Sequence, residues 1–180
     1  MPKSNDFRSG RHFLQIPGPS NVPDRVLRAI DRPVVDHRGP EFAAFALGIF
    51  ARLKTVFRTE SPVVIYASSG TGAWEAALVN TLSPGDTVLM FETGQFAALW
   101  RHMASGLGLD VDWVAGDWRH AVDAAVVGEK LSADKEKHIK SVMVVHNETS
   151  TGTTSDIPAI RRAMDEAAHP ALLMVDTISS

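Results

Sequence analysis

Short apolar runs recur along the chain at 63–67, 87–91, 110–114, 141–145 and 171–175. Each is rich in Val, Ile, Leu or Met, which predicts buried strands. Between the runs, apolar residues fall at helical spacing, as in Ala73/Ala77 with Trp74/Leu78 and in Ile157, Ile160, Met164 and Ala168. Strand and helix therefore alternate. Parallel neighbours need crossovers of a dozen or more residues, so the alternation predicts an α/β fold, a mostly parallel sheet with helices on both faces.

The polar punctuation agrees. "SPGD" at 83–86 closes one helix. Ser155 or Asp156 is the expected N-cap of another, with Pro158 tolerated in its first turn. The charged segment "GEKLSADKEKH" predicts a solvated helix and loop. The first sixty residues differ, because a Pro/Gly/Asn loop, "LQIPGPSNVP", precedes a helical run over 42–57. The expected division is an N-terminal segment, 1–60, with a loop and helix, followed by a sheet domain, 61–180. The sequence ends two serines past the last apolar run, which predicts a sheet domain truncated at its C-terminus.

Composition narrows the chemistry. With 180 residues, 44% of them hydrophobic and 22% charged, the chain can bury a sizeable core. Its net charge is -3 with dispersed basic residues, so neither nucleic acid nor an anionic membrane surface is an expected partner. It has no cysteine, which removes disulfides, thiolate metal sites and cysteine nucleophiles together. The seven histidines show no paired metal spacing, so no metal is expected. His37 and His146 are the two with functional readings, and structural roles fit both. The N-terminus lacks an apolar signal core and no run reaches a membrane span, so a cytoplasmic location is expected.

The stretch "VVIYASSGTGAWEAALVNTL" joins a β-branched run to a helical one through Ser68-Ser69-Gly70-Thr71-Gly72. A nucleophile elbow needs glycine where Ala67 stands, and a Walker A loop needs a lysine that is missing. A dinucleotide turn fits Gly70, Gly72 and Glu92, but Glu75 occupies the place of the third glycine. The remaining reading is a phosphate cup at a helix N-terminus, lined by backbone N–H groups and the Ser69 and Thr71 hydroxyls. An ordinary strand-to-helix turn explains the same residues equally well.

The other strand ends discriminate, since open parallel sheets bind ligands beyond the carboxyl ends of their strands. Phe96 follows the run at 87–91, the hydroxyl-rich "HNETSTGT" follows 141–145, and Asp176 follows 171–175. A phosphate cup, a stackable ring, a hydroxyl and a buried carboxylate are what pyridoxal phosphate requires, the carboxylate keeping the pyridine nitrogen protonated. A helix cap or structural ion pair is the alternative reading of Asp176.

The blocks "IPGPSNVP", "SSGTGAWEAALVNTLSPGD", "TGQF", "HNETSTGT" and "LLMVDTISS", in this order, resemble the class V, fold type I aminotransferases of the serine-glyoxylate and alanine-glyoxylate branch. The resemblance implies the large domain of a pyridoxal phosphate enzyme that moves an amino group from serine or alanine to glyoxylate, working as a homodimer. It implies that Ser69, Gly70 and Thr71 bind the phosphate and that Phe96 stacks on the ring, in place of the tryptophan of other members. Thr149 would bond the 3-oxygen side, Asp176 would pair with the ring nitrogen, and Ile178 would cover the other face. Pro17, Gly18 and Pro19 would lie near the substrate mouth.

The six lysines, Lys3, Lys54, Lys130, Lys135, Lys137 and Lys140, include none just past a strand end at this site. The family's Schiff-base lysine and substrate-binding arginine are therefore expected in a C-terminal part, on the same or a separate polypeptide. Rival readings are a cysteine desulfurase-like or lyase member of the class, a nicotinamide-dependent oxidoreductase, or a non-catalytic fragment.

Overall fold

A computed structural model describes residues 13–180. The chain forms two compact units, Met1–Ile65 and Tyr66–Ser180. The first contains α1 (Asp24–Ile30) and α2 (Pro40–Phe57). α2 begins two residues before the expected helical run, because Pro40 suits the first turn, where its missing N–H leaves no bond unmade. It stops at Arg58, which adopts the left-handed conformation with φ 49°.

The second unit runs α3 (Gly70–Thr81), β1 (Thr87–Phe91), α4 (Gln95–Gly106), β2 (Asp110–Val114), α5 (Ala124–Ala133), β3 (Ile139–Val145), α6 (Ile157–Glu166) and β4 (Leu172–Asp176). Its four strands are all parallel and lie in the order β2-β1-β3-β4. The chain steps one way from β1 to β2 and the other way from β2 through β3 to β4. Right-handed crossovers then require α4 on one face and α5 and α6 on the other.

Strand residues alternate between the two cores accordingly. Val88, Met90, Met143 and Val145 pack with Trp74 and Leu78 of α3 and with Ala97, Trp100 and Ala104 of α4. Leu89, Phe91, Val142 and Val144 pack with Val127 and Leu131 of α5 and with Ile160 and Met164 of α6. Asp156 proves to be the N-cap of α6, accepting the Ala159 N–H at 2.8 Å.

Three expectations are corrected. The run at 110–114 is a strand but not a buried one: as the edge strand β2 it has one exposed and four half-buried residues, since only one of its sides has a neighbouring strand. Residues 63–67 form no strand: they pair with none of β1–β4, and Val64, Ile65 and Tyr66 are more than half exposed. β-branched composition supplies propensity, but a strand exists only through a hydrogen-bonded neighbour. The charged segment at 128–138 is not a wholly solvated helix, because Leu131 belongs to the core and α5 is buried along one side. Among the described residues no helix is long and apolar enough to cross a membrane, and no side chains cluster as metal ligands.

The amino ends of β3 and β4 are tied by a half-buried carboxylate and a buried imidazole. Asp134 accepts the N–H groups of His138 (3.0 Å) and Ile139 (2.8 Å), and His169 Nε2 lies 3.2 Å from the same carboxylate. His169 Nδ1 accepts the Ala171 N–H, which assigns the ring proton to Nε2. Burial pushes the Asp134 carboxyl up, but the Ile139 and His138 amides and the His169 contact outweigh it and hold it below the ordinary carboxylate value. A carboxyl depressed in the folded state stabilises fully above its unfolded value of about 3.8 and loses that contribution as pH falls through the lower folded value. Acid titration of the melting temperature is expected to show this loss below about pH 4, and Asp134→Asn to lack it while being less stable at neutral pH.

Candidate active site

The topological switch point lies between β1 and β3, where successive connections leave in opposite directions and open a crevice at the carboxyl edge. The segments after β1, β3 and β4 and the start of α3 meet there. α3 begins at Gly70 with Ser69 as N-cap, and the Ser69 hydroxyl makes no capping bond. The first-turn N–H groups of a helix have no intrahelical acceptor and carry the positive end of its dipole, so this terminus suits an anion. A methyl group on Gly70 would stand 3.6 Å from the Ile178 side chain, which sets Ile178 beside the start of α3. Ile178 is 67% exposed, an apolar surface available to a flat ligand.

Asp176, expected just past the last strand, is its final residue and is buried. Its Oδ2 accepts the indole N–H of Trp74 at 2.9 Å, and its Oδ1 accepts the Ile178 N–H at 2.9 Å. Trp74 is held in turn by stacking on Trp100, with ring centroids 5.5 Å apart and planes 13° from parallel. Among the described residues Asp176 has no ion-pair partner. A buried carboxylate without a cation is costly, and each of its oxygens keeps a free lone-pair direction. A protonated ring nitrogen answers both conditions, so the donor set fits pyridoxal phosphate.

Thr149 lies in the turn after β3, its hydroxyl bonded to that of Ser179, while Asn147 Nδ2 donates to the Ser179 carbonyl at 2.7 Å. Phe96 occupies the first turn of α4, half-buried against the core that contains Trp74 and Trp100. The second unit thus brings Ser69, Gly70, Thr71, Phe96, Thr149, Asp176 and Ile178 to one edge. Pro17, Gly18 and Pro19 lie in an exposed bend of the first unit.

Two further residues at this edge, Trp74 and Glu148, are not among those the sequence marks. Trp74 reads there as core packing, and nothing in helical periodicity marks an indole as a donor to a residue 102 positions away. Glu148 was legible in principle, as a charged residue in "HNETSTGT" just past a buried strand. It is fully buried, and its carboxylate receives N–H groups from the start of α4.

Glu92, the acid a dinucleotide site would need, is already engaged. It accepts the Trp118 indole N–H at 2.9 Å and the Gly116 N–H at 3.3 Å, and these bonds, the Trp118 one foremost, hold its carboxyl below the ordinary value. His146 serves the sheet through its backbone, its N–H donating to the Asp176 backbone carbonyl and its own carbonyl accepting the Ser155 N–H. In the second unit Lys130 is paired with Asp112 at 2.7 Å, and Lys140 donates to the Lys137 carbonyl at the amino end of β3. Neither stands at the carboxyl edge.

The parallel α/β domain thus sets the start of α3, an aromatic ring and a buried acceptor along one edge at its switch point. The class V aminotransferase family model matches residues 12–180, and the chain belongs to that family. It is 49% identical over 174 residues to a serine–glyoxylate aminotransferase of Methylorubrum extorquens, covering 96% of this chain and 43% of the relative. It is 46% identical to an L-aspartate–glyoxylate aminotransferase of Paracoccus denitrificans, over 92% of this chain and 42% of the relative. A crystal structure of an alanine–glyoxylate aminotransferase from Nostoc sp. superposes with TM-score 0.83 at 32% identity, covering 97% of this chain and 45% of that one. The chain therefore spans less than half the length of these relatives.

Proposed function

We propose that this chain is the cofactor cradle of a pyridoxal phosphate-dependent transaminase that passes an amino group from serine or alanine to glyoxylate. The observation that carries the reading is Asp176, a buried carboxylate without a cationic partner among the described residues, on the same edge as the α3 terminus, Phe96 and Thr149. Glyoxylate is common to the names of the three relatives, whereas the donors differ among serine, aspartate and alanine.

Pyridoxal phosphate, when bound, supplies a ring that accepts the electron pair left at the substrate's α-carbon. The residues of this chain hold and orient it. Ser69, Gly70 and Thr71 offer donors to the phosphate at the positive end of α3. Phe96 and Ile178 supply apolar surface for the two ring faces, Thr149 supplies a hydroxyl, and Asp176 keeps a proton at the ring nitrogen. The lysine and arginine that complete the chemistry are assigned to the C-terminal part of the enzyme, which we take to be a homodimer.

The test is spectroscopic. The complete enzyme with pyridoxal phosphate should show an absorbance band near the visible edge that borohydride abolishes, and serine or alanine with glyoxylate should turn over faster than aspartate. A protein that develops no such band, or that binds a nicotinamide cofactor instead, would overturn the proposal. Preference for aspartate would overturn the donor assignment alone.

A further inference from the structure

We infer that Glu148 is a positioning residue of this site, fixing Phe96 and Thr149 together and, through them, the ring plane of the bound cofactor. The inference rests on the cofactor reading given above.

Glu148 is fully buried. Its Oε1 accepts the Phe96 N–H at 3.3 Å, the Ser150 N–H at 3.2 Å and the Ser150 hydroxyl at 2.7 Å, while Oε2 accepts the Ala97 N–H at 3.1 Å. The Ser150 hydroxyl oxygen accepts the Gln95 N–H at 2.9 Å. The first three amides of α4 are therefore all satisfied from the turn after β3. The Glu148 backbone closes that turn, its N–H donating to Thr153 and its carbonyl accepting from Thr151 and Gly152. Thr149 is the next residue, so one side chain anchors the helix that carries Phe96 while its own backbone anchors Thr149.

Capping alone does not require this arrangement. α5 and α6 are capped by Asp123 and Asp156, each one residue ahead of its own helix and exposed to solvent. α4 has Gly94 at that position and takes its cap from a residue about fifty positions away. A buried carboxylate loses its hydration and is retained only where donors replace it. Here the donors come from two segments that follow different strands, so the contact fixes one segment against the other. Gly94 leaves the necessary room, since a methyl group there would lie 2.5 Å from both Glu148 Cγ and Ser150 Oγ.

Glu148→Gln keeps the shape but replaces one acceptor oxygen by an NH2 group that faces N–H donors. In the cofactor-free complete enzyme, the Phe96 and Ala97 amides should exchange hydrogen about tenfold faster or more than in the wild type. On loading, the visible circular dichroism of the bound cofactor should fall, and its Kd should rise about tenfold. Ser150→Ala removes only the hydroxyl bridge and should give smaller changes of the same sign, which keeps the inference testable if Glu148→Gln does not fold. A stability-matched Ile160→Val variant, on the opposite face, should leave exchange at Phe96, the dichroism and the Kd unchanged. Unaltered amide exchange and unaltered dichroism in Glu148→Gln, or in Ser150→Ala should the former not fold, would overturn the inference alone. A wild type that binds no pyridoxal phosphate would overturn the function proposed above and this inference with it, whereas the exchange measurement would still report whether Glu148 orders the start of α4.

Discussion

Replacing Asp176 by alanine in the complete enzyme is expected to slow turnover at saturating pyridoxal phosphate by two to four orders of magnitude. Removing one partner of a buried ion pair costs on the order of 3–5 kcal/mol, and each 1.4 kcal/mol is about tenfold in rate. Without the aspartate the ring nitrogen would lose its proton, and that cost would have to be met on the way to the transition state, because a neutral pyridine is the weaker electron sink. The loss should therefore fall on removal of the substrate's α-proton more than on cofactor affinity. Ser69→Ala should show the opposite pattern. Its hydroxyl makes no capping bond within the protein, so its loss should weaken phosphate binding by roughly 1.5–3 kcal/mol while sparing the saturated rate. Steady-state kinetics over a cofactor titration separate the two, and near-normal saturated turnover in Asp176→Ala would reduce the aspartate to an acceptor for Trp74 and Ile178.

The alternation of apolar runs was enough to place β1, β2, α3 and α6 and to predict the parallel sheet. Burial on both faces leaves β1 little choice of composition, whereas the edge strand β2 has no buried residue and is marked by Val111, Trp113 and Val114 alone; Trp74/Leu78 and Ile160/Met164 recur at helical spacing because one side of each helix is buried. The run at 63–67 failed as a strand because propensity is local and pairing is not. The place of Ser69–Thr71, Phe96 and Asp176 at the carboxyl edge was legible because each follows or opens an element that the pattern sets, whereas Thr149 was singled out within its hydroxyl-rich segment only by the family resemblance. Trp74 and Glu148 were not. Each acts through a polar atom on a residue 102 or about fifty positions away, and single-chain periodicity carries no information about such a pairing.

Trp74 is the residue where packing and site chemistry meet, and its removal should have the largest effect on stability. Its side chain is 7% exposed, stacked on Trp100, and bonded to Asp176. Trp74→Ala is expected to destabilise the cofactor-free enzyme by about 3–5 kcal/mol, the range for truncating a buried tryptophan, with the aromatic pair contributing to it. Trp74→Phe separates the two roles. A phenyl ring preserves an aromatic partner for Trp100 but has no N–H, so Asp176 Oδ2 loses a donor worth roughly 1.5–3 kcal/mol where the acceptor is charged. That carboxylate would then rely on the Ile178 amide alone for its orientation. Trp74→Phe should consequently weaken cofactor binding beyond what its loss of stability accounts for. Combining it with Asp176→Ala should be less than additive, because both variants remove the same bond. Denaturant unfolding of the cofactor-free proteins and cofactor titrations of all three variants provide the comparison. Full additivity, or a Trp74→Phe enzyme with wild-type affinity and stability, would show that the indole N–H contributes nothing to the site and that Trp74 acts through packing alone.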